Sequence, residues 1–229
     1  MISLTKRVGG AIFRTVLPVA HKHRAELTYW RGRYDDENGQ LGNAHYEPLY
    51  TMVFGLATAD FAGKTVLDIG CGPRGSLEWA DMVKERVGLD PLADEYLKLG
   101  AARHKMKYVK APSERIPFSD GYFDIVTCLN ALDHVDDLDA TIAEVKRVTR
   151  PGGLFLLSTE IDHPPTSTEP VTITAEALRH FEPEFDVLWS RSFGVPSDHN
   201  LHGAVMRKLP PVPGRPNIYC AKMKRRSQR

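Results

Sequence analysis

The chain has 229 residues, is 42% hydrophobic and 26% charged, and sets 30 Lys and Arg against 29 Asp and Glu for a net charge of +1. These values exclude a disordered chain, a membrane-embedded one, and a protein drawn to nucleic acid by bulk charge. The length suits one layered α/β domain with additions. Three scattered cysteines, Cys71, Cys128 and Cys220, fit neither a disulfide framework nor a zinc spacing and predict a reducing, cytoplasmic setting.

Residues 1–60 read as a helical N-terminal cap, and 61–229 as one compact unit. Leu4, Val8, Ile12 and Val16 recur at four-residue spacing. That spacing predicts an amphipathic helix whose apolar stripe packs on the domain or on a second copy, giving a homodimer. Its apolar runs are too short for a membrane span. Basic residues gather at both ends, at Lys6, Arg7, Arg14, Lys22 and Arg24 and in the closing KMKRRSQR. They read as solvated faces, with an RNA or lipid contact as the other reading. The aromatic-rich ELTYWRGRYDDENGQLGNAHYEPLY either packs on the domain or caps a ligand.

Strands are expected over TVLDIG (65–70), VGLD (87–90), KYVKA (107–111), FDIVTCLN (123–130) and GLFLLSTE (153–160), with helices over SLEWADMVKER, 92–103 and DDLDATIAEVKRVT between them. Apolar strands alternating with helices predict a parallel sheet covered on both faces. EFDVLWSRSF (184–193) and NIYCAKMK (217–224) lack a crossover helix between them and should pair antiparallel at one edge. The fold class is therefore α/β: a Rossmann-like seven-stranded sheet, mostly parallel with an antiparallel edge strand. The 194–216 connection shows no strong helical period and is long enough for a functional lid or a disordered segment.

VLDIGCGPRGSLEWA contains Gly70, Gly72 and Gly75 in a literal GxGxxG after the first strand. Such a loop brings backbone close to a ligand at the carboxyl edge of the sheet, and both a dinucleotide and an adenosyl ligand use it. Asp90, ending the second strand, suits a ribose diol in either case. Asp68, two residues before the first glycine, favours a ligand with a cationic end over a pyrophosphate.

Together with VGLDPLADEYL, APSERIPFSDGYFDIVTCLNALDHVDD and EVKRVTRPGGLFLLSTE, this loop resembles the successive motifs of class I S-adenosylmethionine-dependent methyltransferases of the type 11 small-molecule branch, over about residues 64–160. The resemblance implies S-adenosyl-L-methionine as cofactor. It implies that Asp68 and the backbone of Gly70, Cys71 and Gly72 contact the methionine part, that Asp90 binds the ribose hydroxyls with Pro91 beside it in the cofactor site, that Ser113 and Glu114 border adenine, and that Leu129 and Asn130 lie near the sulfonium. Pro73 and Arg74 displace the third glycine from the family's spacing, so Gly75 does not carry over. PGG at 151–153 is expected to be the turn before the fifth strand.

For a hydroxyl acceptor a base must take the proton, and His134 and His163, just after the fourth and fifth strands, are the candidates; Asp133 could orient either. Asp133, His134, Asp136, Asp162 and His163 share one edge, but their spacing matches no metal pattern, and no metal is expected. The resemblance implies that substrate is selected by 30–50, 162–170 and 194–216, with His45, Tyr46, Tyr50, His163, His199, His202 and Arg207. They suggest a small polar metabolite, a hydroxyl or amine acceptor such as a sugar or saccharide precursor. The alternatives are an RNA methyltransferase, disfavoured because NALD lacks the Asn-Pro-Pro-aromatic motif of base-amine modifiers, and a cofactor-binding protein without turnover.

Overall fold

The computed structural model describes residues 4–227, with side chains from residue 19 onward; the Leu4–Val16 stripe and the last two residues of the basic tail lie outside the described side chains. The strands are β1 (Thr65–Ile69), β2 (Glu85–Leu89), β3 (Lys107–Val109), β4 (Phe123–Leu129), β5 (Thr149–Ile161), β6 (Phe185–Gly194) and β7 (Asn217–Arg225). They form one seven-stranded sheet in the order β3-β2-β1-β4-β5-β7-β6. β1 to β5 are parallel, and β7 runs antiparallel to both β5 and β6. The reversed strand thus lies one place in from the edge, which β6 forms. Chain order reverses at β1, between β2 and β4, which is where open sheets of this kind place a ligand.

Strand alternation sends side chains to two cores. Leu67, Ile69, Val126, Cys128, Phe155 and Leu157 face one side. There they meet α4 (Leu138–Val148), which is N-capped by the Asp137 carboxylate on the Ala140 amide and buries Ile142, Val145 and Val148 at helical spacing. Val66, Ile125, Leu156 and Ile218 face the other side. That face is covered by Tyr46, Leu49 and Tyr50 of α2 (Tyr46–Tyr50), by Phe54 and Phe61 in the turns after it, and by Ala204 and Val205 of α6 (Leu201–Arg207).

The helix expected over Ser76–Arg86 does not form; residues 70–84 run as turns. Groups a helix would use internally make tertiary bonds instead. Ser76 Oγ donates to Asp68, Glu78 accepts from the backbone amides of Lys105 and Met106, and Arg86 donates to the carbonyls of Leu77 and Glu78. Local polar bonding of this kind competes with helix. The covering it would have supplied comes from α2 and α6.

Smaller departures follow from glycine and caps. The 92–103 helix shrinks to α3 (Ala93–Lys98), because Gly100 turns left-handed at φ +90°. Pro151–Gly153 lies inside β5 and not before it, at a register shift opposite Phe123–Ile125, so the stretch is a bulge. The 194–216 connection contains α6, started by the Asn200 side chain accepting from the Gly203 amide. α1 (Leu4–Asp36) is a single 33-residue helix laid across the carboxyl edge of the sheet, and the short α5 (Ala175–Leu178) precedes β6.

Candidate active site

The carboxyl ends of β1, β2 and β4 open into a cavity of about 620 Å³, within the range of small-molecule sites. Gly70 lies at its floor with φ +68°, and a Cβ there would stand 2.2 Å from the Ala131 Cβ, so the position accepts glycine alone. Asp90, at the tip of β2, is 7% exposed. Its Oδ1 accepts from the Leu92 amide at 2.8 Å, and the Gly72 amide points at Oδ2 from 3.4 Å. Burial pushes its carboxyl up to about 7, against the pull of these amides.

Of the residues anticipated at the cofactor, Gly70, Asp90, Pro91, Ser113, Glu114 and Asn130 line this cavity. Ser113 Oγ is hydrogen-bonded to Thr141 Oγ1, and Glu114 Oε1 accepts from the amides of Asp136 and Asp137, fixing the turn after β4. Asn130 adopts φ +55°, and its Oδ1 is buried without a partner.

Four anticipated residues do not line it. Cys71 is buried, its Sγ packed against Gly88 of β2, and Leu129 packs into the core on the α2 side. Gly72 is covered by the Trp30 indole, 3.1 Å from where a Cβ would stand. Asp68 lies beneath the floor and accepts from three hydroxyls, Tyr50 at 2.9 Å, Ser76 at 2.5 Å and Thr127 at 2.6 Å. Burial raises its carboxyl to about 6 despite those three donors. It joins the cap, the glycine loop and β4 at one point.

One wall comes from α1, through Val19, Lys22, His23 and Glu26. Lys22 donates to the His134 carbonyl at 2.7 Å and to Asp136 at 2.5 Å. Glu26 accepts from Trp30 Nε1 at 2.8 Å. Arg74 stacks over Trp30 at 5.6 Å, forks onto Glu37 and donates to the Gly42 carbonyl. Sequence reasoning missed these four wall residues; the one available signal was Arg74 itself, the departure from the expected glycine spacing.

The two histidines have unlike places. His134, in a single turn over Leu132–His134, lines the cavity. His163 is 6% exposed behind it, its Nδ1 bonded to the Pro164 carbonyl and its Nε2 3.3 Å from Asp133 Oδ2. Asp133 is 5% exposed, and burial raises its pKa. His134 Nε2 stands 3.9 Å from Asp133 Oδ1 and 3.8 Å from Glu169, a residue sequence reasoning did not single out. Asp136 pairs with Lys22 instead, and Asp162 is exposed.

Among the substrate candidates, His45, Tyr46 and His202 line a second, more open hollow of about 570 Å³ beside Trp30 and Arg74. Burial holds His202 down at about 4. Tyr50 is spent on Asp68, and His199 faces Glu160 at 3.4 Å.

An open sheet of this order, with an acid ending β2 over a cavity floored by a left-handed glycine, defines a nucleoside-binding Rossmann-like α/β protein. Residues 67–157 match the family described as "Methyltransferase domain". An uncharacterized methyltransferase of Mycobacterium sp. (strain JLS) is 40% identical over 97 residues, covering 42% of this chain and 38% of the relative. A ubiquinone biosynthesis O-methyltransferase of Xanthomonas oryzae pv. oryzae is 29% identical over 171 residues, covering 70% of this chain and 71% of the relative. The chain spans less than half the length of the curated relatives it matches first. In fold it is similar to an S-adenosylmethionine-dependent methyltransferase from Mesorhizobium loti, with a TM-score of 0.60, 19% identity, and coverage of 80% of this chain and 98% of that one.

Residues 67–157 thus match a methyltransferase domain, and the fold is that of a solved methyltransferase whose name gives S-adenosylmethionine as its cofactor. The residues present fit that group: Asn130 Oδ1 is a buried acceptor without a partner, and Gly70 leaves room that any side chain would fill. Among the described residues no helix is long and apolar enough to cross a membrane.

Proposed function

We propose that the chain transfers the methyl group of S-adenosylmethionine to a hydroxyl of a small polar acceptor. The observation that carries this reading is the placement of Asp90 and His134 on one cavity with Gly70 at its floor. When bound, the cofactor supplies a methyl carbon made electrophilic by its sulfonium. Asp90 accepts the ribose hydroxyls, the Ser113–Glu114 turn borders the adenine, and Asn130 Oδ1 faces the methionine end. Glu26, Asp90, Glu114 and Asp136 outnumber Lys22 and Lys110 around the cavity, which suits a cationic ligand better than a polyphosphate or an RNA backbone.

His134 marks the acceptor end, and the hydroxyl proton is lost there, at the cluster it forms with Asp133 and Glu169. His163 is too enclosed to touch an acceptor and acts by positioning Asp133. α1 walls one side of the cavity, and the main task of the site is to align oxygen, carbon and sulfur. The Xanthomonas relative's name as an O-methyltransferase supports oxygen as the methylated atom, while a Shewanella piezotolerans relative, 38% identical over 106 residues, is named a C-methyltransferase. Nothing around the cavity favours a sugar over other hydroxylated acceptors.

The test pairs calorimetry of cofactor binding with incubation of the chain, labelled S-adenosylmethionine and fractionated metabolites and RNA. Saturable binding with label in a small-molecule fraction supports the reading. Absence of binding, or label in RNA alone, overturns it.

A further inference from the structure

We propose that Asp133, His134 and Glu169 hold a divalent first-row transition metal at the acceptor end of the cavity. Their donor atoms lie within 4.8 Å of one another. His134 Nε2 stands 3.9 Å from Asp133 Oδ1 and 3.8 Å from Glu169 Oε1. An ion bound about 2.1 Å from each donor separates them by roughly 3–4 Å, so His134 already stands at that spacing from both carboxylates, and closing the set on one ion takes a side-chain adjustment of about 1 Å or less.

Two independent observations point to a missing cation. First, Asp133 Oδ1 and His163 Nε2 are buried and make no hydrogen bond. An unsatisfied buried carboxylate oxygen is strongly disfavoured unless something positive meets it. His163, tethered through Nδ1 to the Pro164 carbonyl, faces the other oxygen, Asp133 Oδ2, from 3.3 Å. It therefore turns the carboxylate so that Oδ1 points at His134, as partners behind a metal ligand do.

Second, the local charge does not balance. Asp133, Glu160 and Glu169 crowd together, and among the described residues no Lys or Arg pairs with any of them; the basic side chains beside them are the imidazoles of His134, His163 and His199. Asp136, three residues on from Asp133, is by contrast met by Lys22. A divalent ion supplies positive charge to the cluster.

One imidazole nitrogen and two carboxylate oxygens suit zinc or manganese better than calcium or magnesium. Three protein donors with a free position are the arrangement of catalytic and not structural metal sites. Because His134 lines the cavity, the free position faces the acceptor. This role rests on the methyl-transfer reading; the binding of the ion does not. The acceptor's O–H bond breaks with its proton passing to water, the oxygen's electron pair forms the C–O bond, and the C–S pair stays on sulfur. The ion stabilises the charge developing on oxygen, so that His134 serves as a ligand.

The spacing of these residues carried no metal pattern because the ligands come from two loops. Glu169 is brought in by the segment after β5, where the Val171 amide donates to the Asp133 carbonyl and Thr172 to that of His163.

The experiment uses the full chain, stripped with EDTA and titrated with zinc, manganese and magnesium by calorimetry without cofactor. Expected are one zinc or manganese ion per chain at micromolar affinity or tighter, weaker magnesium binding, and a loss of about 100-fold in Glu169→Gln and in Asp133→Asn. Glu169 sits on a partly exposed loop, so its variant keeps the metal-free melting temperature. No saturable binding, or the same binding in both variants, overturns the proposal. Cofactor binding measured in parallel separates the failures. Cofactor without metal sinks this inference alone, and metal without cofactor sinks the methyl-transfer reading alone.

Discussion

Arg74 and Glu37 meet as a two-pronged ion pair, Nη2 standing 2.5 Å from Oε1 and Nη1 2.8 Å from Oε2. The pair fastens the loop after β1 to the residue following α1 and holds the Glu37 carboxyl down at about 2. Being partly buried, it lies between exposed and enclosed pairs, so Arg74→Ala should cost about 2 kcal/mol. Arg74→Lys should restore little, since it keeps the charge and loses the fork. Hydrogen exchange should accelerate over residues 19–36 in the alanine variant; unchanged protection there would refute the clamp.

Gly70→Ala meets two obstacles, a left-handed φ and the Ala131 Cβ 2.2 Å away. Together they should destabilise the protein by roughly 2–5 kcal/mol and abolish cofactor binding. Adding Ala131→Gly removes the collision and leaves the φ strain. Urea melts should therefore show partial recovery in the double variant, and no recovery would mean that the clash was not the cause.

Asp90 and Asp68, held up to about 7 and about 6 by burial, make the ligand-free protein pH-sensitive. Their folded pKa values exceed the unfolded value of about 3.9, so the folded state retains protons that the unfolded state has lost. The stability they contribute is complete below pH ~4 and disappears as pH rises through their folded values. Melting temperature should fall between pH 5 and pH 8, less steeply in Asp90→Asn. Cofactor affinity runs the other way, because ribose hydroxyls donate to the ionised carboxylate, and it should climb through pH ~7 with release of a proton. An affinity flat with pH in the wild type would remove Asp90 from the ribose.

His134→Ala should leave cofactor affinity within about twofold and lower kcat by roughly 100- to 10,000-fold, the range for groups that manage an acceptor's proton. Single-turnover rates with the labelled cofactor read this directly. Undiminished turnover would take His134 out of the reaction.

The parallel sheet and most of the cavity were legible because their signals are local. Apolar runs mark β1, β2, β4 and β5, and Asp90 and Asn130 end strands at the ligand edge. The stretch after Gly75 misled because its helical spacing is real, Leu77 and Ala80 being buried, while Ser76 and Glu78 bind partners that only the folded chain brings near. Nothing in the motif of Asp68 reveals its partners, because Tyr50, Ser76 and Thr127 reach its oxygens from three separate segments. Glu169 was invisible because its link to His134 is made by strand-end loops that meet in space alone.

α1 carries a final consequence, one of timing. A ligand walled on one side by Val19, Lys22, His23 and Glu26 should enter and leave more easily when that helix lifts. The clamps on it, Lys22 on Asp136 midway along the helix and Arg74 on Glu37 just past its C-terminus, are ionic. Added salt weakens such contacts, so the residence time of a bound ligand should shorten with ionic strength. Turnover limited by release would then run faster in salt, while the chemistry inside the closed cavity goes on unchanged.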